Sequence, residues 1–280
     1  MAEIDLVTVP AWNKLSWLRH GFSTRSGGAS TVYGGHSLNL GWTREDDPSY
    51  VRANRKAFTE ALSRPGELRR LVTVRQVHSG LVKTVGNEAL TGSLETSDGK
   101  AVLEGDGLVT NVPGVLLAAG TADCVPVLVV DPARRVVAAL HAGWRGTVAG
   151  IVQQGISLMQ QVYGSQPNDL MAAVGPAIGA CCYAVGNEVR EQFAARFSYA
   201  HDLFQTRTAT NEDTPRLYVD LWEANRRQLL DAGLTPDRIT VIGECTACTR
   251  TASGERKYFS HRAEHGIAGR MLNAIVIASE

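Results

Sequence analysis

Residues 115–151, with the sequence VLLAAGTADCVPVLVVDPARRVVAALHAGWRGTVAGI, decide the fold of this 280-residue chain. Two runs rich in valine and leucine, Val125–Val130 and Val136–Leu140, flank the segment Asp131–Arg135. Its Asp-Pro dipeptide is a strong turn signal, so the pattern predicts a β-hairpin. In the expected register, Val130 lies opposite Val136.

The open end of this predicted hairpin carries a thiol and an imidazole. In the expected register Cys124 lies across from Ala142, and a shift of one residue would place it directly opposite His141. In either register the Cβ atoms of Cys124 and His141 are expected about 5 to 8 Å apart. Turn geometry therefore predicts that the two side chains meet.

Two chemistries suit such a pair. In one, His141 deprotonates Cys124, and the thiolate attacks an acyl or amide carbon. In the other, both residues bind a metal such as zinc, and His78, at the end of another strand-like run, is a candidate third ligand. Three protein ligands would leave the fourth zinc position open, as in catalytic sites. The plain alternative is that these are packed structural residues.

A glycine-flanked turn follows His141. Gly143 and Gly146 permit a tight turn into a helix that is expected to begin near Thr147, with that threonine as its N-cap. Free backbone N–H groups there, together with Arg145, form a candidate anion site. Alternatively, Arg145 is simply solvated.

The spacing of apolar residues predicts the secondary structure of the rest of the chain. Strands outnumber helices and several are joined by short turns, which favours mixed or antiparallel sheets covered by helices, an α/β class of the α+β type. No repeat or long linker interrupts the sequence, so residues 1–280 are predicted to form one domain. The other expected strands are Leu71–Val77, Leu81–Val85, Val115–Ala119, Leu170–Val174 and Ile239–Ile242, and the expected helices are Pro48–Leu62, Thr147–Tyr163, Glu188–Phe197 and Leu221–Ala232.

Charge and hydropathy exclude several classes of function. Twenty-eight basic residues balance 28 acidic ones, so no global field would recruit nucleic acid or an anionic membrane. The N-terminal residues lack a secretory pattern, and the longest apolar stretch is interrupted by Asp131, Pro132 and two arginines. We therefore expect a cytoplasmic location, with no nucleic-acid, membrane or obligate protein partner evident.

The five cysteines do not indicate a disulfide framework, because their number is odd. Cys245 and Cys248 form a CxxC pair, which can belong to a second metal or a redox site. Without a second CxxC or a histidine at ligand spacing, packed thiols beside a strand are the favoured interpretation. Cys181 and Cys182 are adjacent and are also expected to pack.

Beyond these local patterns, the chain resembles the bacterial YfiH-like proteins and their vertebrate laccase-domain relatives. The motifs that carry the resemblance run in order through nearly the whole chain: GFSTRSGGAS, SLNLG, RQVHSG, EGDGLVTN, TADCVPVLVVDP, HAGWRGTVAGI, GPAIGACCYAVGNEV, DLWEANRRQL, ECTACT and YFSHRAEHGIAGRM. One departure is His261-Arg262, where relatives often carry Tyr-Arg after Phe-Ser.

The resemblance implies a four-layer α/β/β/α sandwich with mixed sheets, similar to the catalytic domain of cytotoxic necrotizing factor toxins. It also implies a zinc site whose ligands match His78, Cys124 and His141. The implied activities are phosphorolysis of adenosine, inosine, guanosine and methylthioadenosine, and deamination of adenosine. An alternative is a Cys–His hydrolase or amidase that removes misincorporated L-serine from peptidoglycan precursors.

The family is also labelled as multicopper laccases, and the histidine count argues against that chemistry. A four-copper array needs many imidazoles, usually in His-x-His pairs, whereas this chain has seven histidines and no such pair. Copper in a single site remains compatible with the sequence.

Four further residues are candidates for the chemistry of a nucleoside enzyme. Asp123, next to Cys124, is a candidate proton shuttle, or alternatively a brace for the site. Phosphorolysis needs an arginine clamp for phosphate, for which Arg25 and Arg145 are candidates. Asn39 is a candidate ligand for a ribose hydroxyl. For each residue, a purely structural role is the alternative.

Overall fold

Two mixed β-sheets form the centre of the molecule in a computed structural model that describes residues 4–63, 69–91, 94–208 and 214–278. In chain order the strands are β1 (Leu6–Val7), β2 (Leu18–Ser23), β3 (Ser26–Ser30), β4 (Arg70–Val72), β5 (Val82–Thr84), β6 (Gly107–Thr110), β7 (Val115–Thr121), β8 (Val125–Asp131), β9 (Val136–Ala142), β10 (Met171–Val174), β11 (Ala184–Val185), β12 (Phe204–Arg207), β13 (Arg216–Val219), β14 (Ile239–Val241) and β15 (Met271–Ile277).

The first sheet has the strand order β1-β2-β15-β7-β4, and the second has the order β14-β10-β8-β9-β6-β5. Both contain parallel and antiparallel pairs, as the turn-connected strands of the sequence predicted. The strands β11, β13 and β12 form a small third sheet. The helices are α1 (Pro48–Ala61), α2 (Glu88–Thr91), α3 (Trp144–Val148), α4 (Ile151–Tyr163), α5 (Asn187–Arg196) and α6 (Leu221–Asp231).

Apolar side chains hold these elements in four layers. Leu117 and Ile275 of the first sheet pack against Leu128 and Val137 of the second, which joins the sheets face to face. The outer face of the first sheet is covered by α1 through Phe58. The outer face of the second sheet is covered mainly by α4, α5 and α6. The expected α/β/β/α sandwich is therefore confirmed.

The central hairpin differs by one residue from the expected register. Val130 pairs with Val137 rather than Val136, because β8 continues to Asp131. The Asp131 carboxylate accepts the backbone N–H groups of Ala133 and Arg134 at 2.9 and 3.0 Å, so the turn is shorter than expected.

This register has a consequence at the open end of the hairpin. His141 now lies opposite Pro126, two residues from Cys124. Directly paired residues point to the same face of a sheet, and so do residues two apart on one strand. The observed register therefore puts the Cys124 and His141 side chains on one face. In the expected register they would have been near each other at the open end of the hairpin but directed to opposite faces of the sheet.

The expected helix Thr147–Tyr163 is two helices, and Thr147 is not an N-cap. The N-caps are Gly143 for α3 and Gly150 for α4. Gly150 has φ +75°, a left-handed conformation that breaks the helix. Thr147 is buried inside α3, where its hydroxyl accepts a hydrogen bond from Asn225. Because α3 has only five residues, we no longer propose that its backbone N–H groups bind an anion.

Several strands carry little periodic signal and were missed. The most important is β15, which lies between β2 and β7 in the first sheet. In contrast, the expected strand Leu71–Val77 is confined to Arg70–Val72. Among the described residues, no helix has the length and apolar character needed to cross a bilayer.

His20 on β2 gives the fold a predictable acid sensitivity. Its side chain is buried, and its Nε2 accepts the backbone N–H of Val9 at 2.8 Å, which requires the neutral ring. Burial lowers the pKa of His20 from 6.5 to about 4. Between these values the unfolded chain binds more protons than the folded one, so stability must fall as the pH falls.

We expect His20 to account for a loss of about 2 to 3 kcal/mol in unfolding free energy between about pH 7 and pH 4.5. Denaturant unfolding across this range measures it. The amide oxygen of His20→Gln can still accept a hydrogen bond but does not titrate. In this variant the decrease in unfolding free energy that we assign to His20 should disappear. The exposed His201 supplies the control His201→Gln, which should keep it. Equal slopes in wild type and His20→Gln would contradict the assignment.

Candidate metal centre

His78, Cys124 and His141 converge at one edge of the second sheet. Each offers one ligand atom, and the three atoms lie within 4.8 Å of one another. The Cys124 Sγ is 4.0 Å from the His78 Nε2, and the two imidazole rings are 4.9 Å apart between centroids. Two nitrogens and one thiolate at this spacing form a donor set that fits zinc.

Asp106 holds the two histidines of this centre and was missed by the sequence analysis. It lies just before β6, and its carboxylate accepts the backbone N–H groups of Val77, His78 and Ser79 at 3.3, 3.0 and 2.6 Å. These bonds fix His78 in a left-handed conformation with φ +59°. The same carboxylate is 2.9 Å from the His141 Nδ1. The only sequence signal was its place in the EGDG motif.

The bond to Asp106 determines which nitrogen of His141 faces the site. Because Nδ1 is directed at the carboxylate, Nε2 is left for a metal or for Cys124. A carboxylate behind a metal-binding histidine is a common support, because it fixes the orientation of the ring and raises its basicity.

Electrostatics favour a thiolate beside a charged imidazole when no cation is present. Burial opposes the Cys124 thiolate, but the His141 charge and hydrogen bonds from His141 and His78 outweigh it and lower the pKa of Cys124 to about 6. Burial likewise opposes the charged form of His141, yet Cys124 and Asp106 raise the pKa of His141 to about 9. The bonds to His141 and Ser79 hold the pKa of Asp106 well below its usual range, despite burial.

Asp123 precedes Cys124 and has an unusual backbone, with φ +91°. One carboxylate oxygen accepts the hydroxyl of Thr246 at 2.7 Å, and the other accepts the backbone N–H of Arg262 at 2.7 Å. Both oxygens are therefore engaged. This arrangement favours the brace interpretation of Asp123 over the proton shuttle.

Gly143 lets the ligands approach the start of α3. A Cβ atom at this position would lie 2.9 Å from the Cys124 Sγ and 3.1 Å from the His78 Cδ2. The backbone itself tolerates any residue, because φ is −64°. Only the close approach of the two ligands requires glycine here.

We expect Gly143→Ala to displace both ligands and lower metal affinity by about 10- to 100-fold, as for loss of a supporting residue. Zinc titration with a competing chromophoric chelator measures this. Far-UV circular dichroism should remain that of the wild type. Unchanged affinity would show that the ligands do not lie against Gly143.

A cavity of about 740 Å³ opens in front of the centre. Asp123, Cys124, His78 and His141 lie in its wall. Its described lining residues include one carboxylate, Asp123, and six cationic side chains: Arg55, Arg75, Lys100, Arg145, Arg262 and Arg270. The chain is neutral overall, so this basic character is local and fits an anionic ligand.

Within the part of the chain that the structure describes, three of these cations form no ion pair with a carboxylate. Arg145 stacks on Trp144 with its guanidinium 4.5 Å from the ring centroid, and no hydrogen bond from its side chain is found within the described ranges. The Arg262 guanidinium donates to the carbonyl of Ala184, and that of Arg270 donates to carbonyls at 268 and 269. By contrast, Arg55, Arg75 and Lys100 pair with Glu95, Glu104 and Asp98.

Two residues that the sequence suggested as substrate ligands, Arg25 and Asn39, lie outside the cavity wall. Arg25 pairs with Glu264 at 3.0 Å and donates to the Tyr33 carbonyl at 2.7 Å, so it links its own loop to the segment around Glu264. Asn39 is fully buried, with its amide bonded to Asp46 and to the backbone of Arg270. Neither lines the cavity, because both are used to hold neighbouring segments together. We therefore no longer propose that Arg25 and Asn39 contact the substrate directly.

Comparison with known proteins identifies the family. Residues 19–278 match the family described as "Multi-copper polyphenol oxidoreductase laccase". The chain belongs to this laccase-domain family. It is 38% identical over 266 residues to "Purine nucleoside phosphorylase YlmD" of Geobacillus stearothermophilus, covering 91% of this chain and 92% of the relative.

Two further members of the laccase-domain family are informative. "Adenosine deaminase RL5" from an unknown prokaryotic organism is 34% identical, with 78% of this chain and 79% of the relative covered. The crystal structure of the Bacillus licheniformis hypothetical protein YfiH superposes with a TM-score of 0.83 at 32% identity, covering 99% of this chain and 97% of that one. The names of these relatives thus include two different nucleoside activities.

The family description mentions several coppers, which the donor sets of this chain do not match. Over the described ranges, two groups have metal-ligand spacing: the His78, Cys124 and His141 centre, and a second group of four cysteines. A multicopper oxidase needs clustered imidazoles, and the first group has two while the second has none. The geometry fits mononuclear sites.

Proposed function

We propose that this protein is a zinc-dependent purine nucleoside enzyme, which catalyses phosphorolysis of purine nucleosides and deamination of adenosine. The observation that carries the proposal is a His₂Cys donor set in the wall of a cavity whose described lining residues include six cations and one carboxylate. The named activities of the phosphorylase and deaminase relatives support the same substrate class.

The residues of the centre have distinct tasks in this proposal. His78, Cys124 and His141 would hold zinc, and Asp106 would fix both histidines. Zinc in such a three-ligand site supplies Lewis-acid polarisation to a group at its open position. Asp123 positions Cys124 and the 262 backbone rather than exchanging protons.

The cavity supplies the binding part of the reaction. Its volume of about 740 Å³ lies in the usual range for small-molecule sites, and Trp42, Trp144 and Tyr183 in its wall offer aromatic surface for a purine. In phosphorolysis a phosphate oxygen forms a bond to C1′ of the ribose while the bond from C1′ to the base nitrogen breaks. The base leaves with the electron pair and is then protonated. Cations without carboxylate partners are suited to hold the attacking phosphate.

Arg145 is the strongest candidate for this clamp, because it combines a place in the cavity wall with the absence of an acidic partner in the described part of the chain. We expect Arg145→Ala to raise the KM for phosphate about 10- to 100-fold, the value of one or two charge-assisted hydrogen bonds. The kcat should change less, because phosphate is held in the ground state as well as in the transition state.

Steady-state kinetics at varied phosphate concentration measure this effect. Arg52 lies on the exposed surface of α1 outside the cavity wall, so Arg52→Ala is the control and should leave KM unchanged. A wild-type KM in Arg145→Ala would remove Arg145 from the phosphate site.

The proposal as a whole is tested by incubating the purified protein with adenosine, with and without phosphate, and separating the products. Adenine that depends on phosphate reports phosphorolysis, and inosine that does not depend on phosphate reports deamination. Absence of both products, in protein that carries zinc, would overturn the proposal.

A second candidate function has one specific observation in its favour. Cys124, His141 and Asp106 are arranged as nucleophile, base and orienting carboxylate, the order found in cysteine hydrolases. A metal-free hydrolase or amidase that removes L-serine from peptidoglycan precursors could use them. His78 distinguishes the two proposals, because the metal centre needs it and the triad does not.

A further inference from the structure

A second group of thiols lies outside the catalytic centre. Cys181 and Cys182 come from the turn between β10 and β11, and Cys245 and Cys248 come from the loop after β14. Their four Sγ atoms lie within 4.8 Å of one another, and none is in a disulfide. The sequence analysis treated the two pairs separately and expected both to pack.

The spacing fits one metal ion better than packed thiols. With zinc–sulfur bonds of about 2.3 Å, the sulfur atoms of a tetrahedral site are about 3.8 Å apart. The Cys181 and Cys248 Sγ atoms are 3.7 Å apart. Polynuclear iron–sulfur clusters need room for several irons between their thiolates, which this spacing does not leave.

The surroundings of Cys245 also fit a bound thiolate. This residue is buried, and its Sγ accepts the backbone N–H of Gly179 at 3.2 Å. A backbone N–H donor at a sulfur stabilises its charged form, which is the form that binds metal.

We propose that Cys181, Cys182, Cys245 and Cys248 bind a single zinc ion as a structural site, separate from the His78–Cys124–His141 centre. The zinc ion would link two loops to each other, residues 177–183 and residues 245–248. Both segments reach the catalytic cavity. Thr246, inside the CxxC pair, holds Asp123, and Tyr183, next to Cys182, lies in the cavity wall.

Native protein tests the site through the reactivity of its thiols. Cys181 and Cys248 are exposed, so N-ethylmaleimide can reach their sulfur atoms when no metal holds them. We expect both to be protected in zinc-loaded protein and to become reactive when a chelator is added, with mass spectrometry locating the label. Equal labelling before and after chelation would overturn the proposal. So would protection that is released by a reductant but not by a chelator, which would indicate a disulfide.

Metal counting gives a second measurement. We expect two zinc ions per chain in the wild type, and one each in Cys124→Ser and Cys181→Ser. Zinc should raise the melting temperature of Cys124→Ser, which lacks the catalytic site, but not that of Cys124→Ser/Cys181→Ser. Equal zinc content in Cys181→Ser and the wild type would contradict the four-cysteine site. This comparison does not depend on the proposed nucleoside activity, because the zinc lost in Cys181→Ser is counted whether or not the His78–Cys124–His141 centre holds metal.

Discussion

Replacing His78 with alanine is expected to remove zinc from the catalytic centre and to lower nucleoside turnover by at least about 10³-fold. The loss of a supporting residue already costs about 10- to 100-fold in such sites, and a direct ligand should cost more. The fold should survive, because His78 is exposed and its side chain lies among Cys124, His141 and Gly143 of the site itself.

Zinc content and adenine formation, measured on the same preparation, test this expectation. His201→Ala removes an exposed histidine that lies outside the cavity wall and should leave both quantities unchanged. The variant separates the two proposed functions. If His78→Ala keeps most of its turnover without metal, the Cys124–His141–Asp106 triad is the active machinery and the zinc proposal fails.

Replacing Asp106 with alanine is expected to have the second large effect, on metal affinity and on stability together. The carboxylate accepts bonds from three backbone N–H groups, from the Ser79 hydroxyl and from His141. Its removal leaves these donors without a partner, at a cost of about 3 kcal/mol or more in unfolding free energy. Metal affinity should fall by about 100-fold, because both histidines lose their support.

Asp131, at the turn of the β8–β9 hairpin, provides a matched control. It is also buried, and it also accepts backbone N–H groups, but it lies outside the cavity wall. We expect Asp131→Ala to lower the unfolding free energy while metal affinity stays that of the wild type. If Asp106→Ala and Asp131→Ala affect metal affinity equally, Asp106 does not act through the histidines.

The sequence predicted the central hairpin well because β8 and β9 are mainly apolar and the Asp-Pro turn is strong. It predicted the register wrongly by one residue, because the local pattern does not show that Asp131 ends the strand and caps the turn. Strand β15 was missed for another reason. Its place between β2 and β7 depends on contacts between distant parts of the chain.

In the candidate site, too, local features could be predicted from the sequence and features that depend on tertiary contacts could not. Cys124 and His141 could be brought together from one hairpin, and His78 only through the family resemblance. Asp106 could not be found, because its role depends on side-chain bonds to His141 and to the 77–79 backbone. Arg25 and Asn39 have side chains suited to substrates, but tertiary contacts use them to hold loops together. Likewise, the four cysteines form a group only after folding.

The most direct test of the metal centre is an anomalous difference map across the zinc absorption edge, from crystals of protein shown to convert adenosine. The account predicts a zinc peak between the His78 Nε2, the Cys124 Sγ and the His141 Nε2, at about 2.0 to 2.1 Å from each nitrogen and about 2.3 Å from the sulfur. Absence of density at this position in active protein would contradict it.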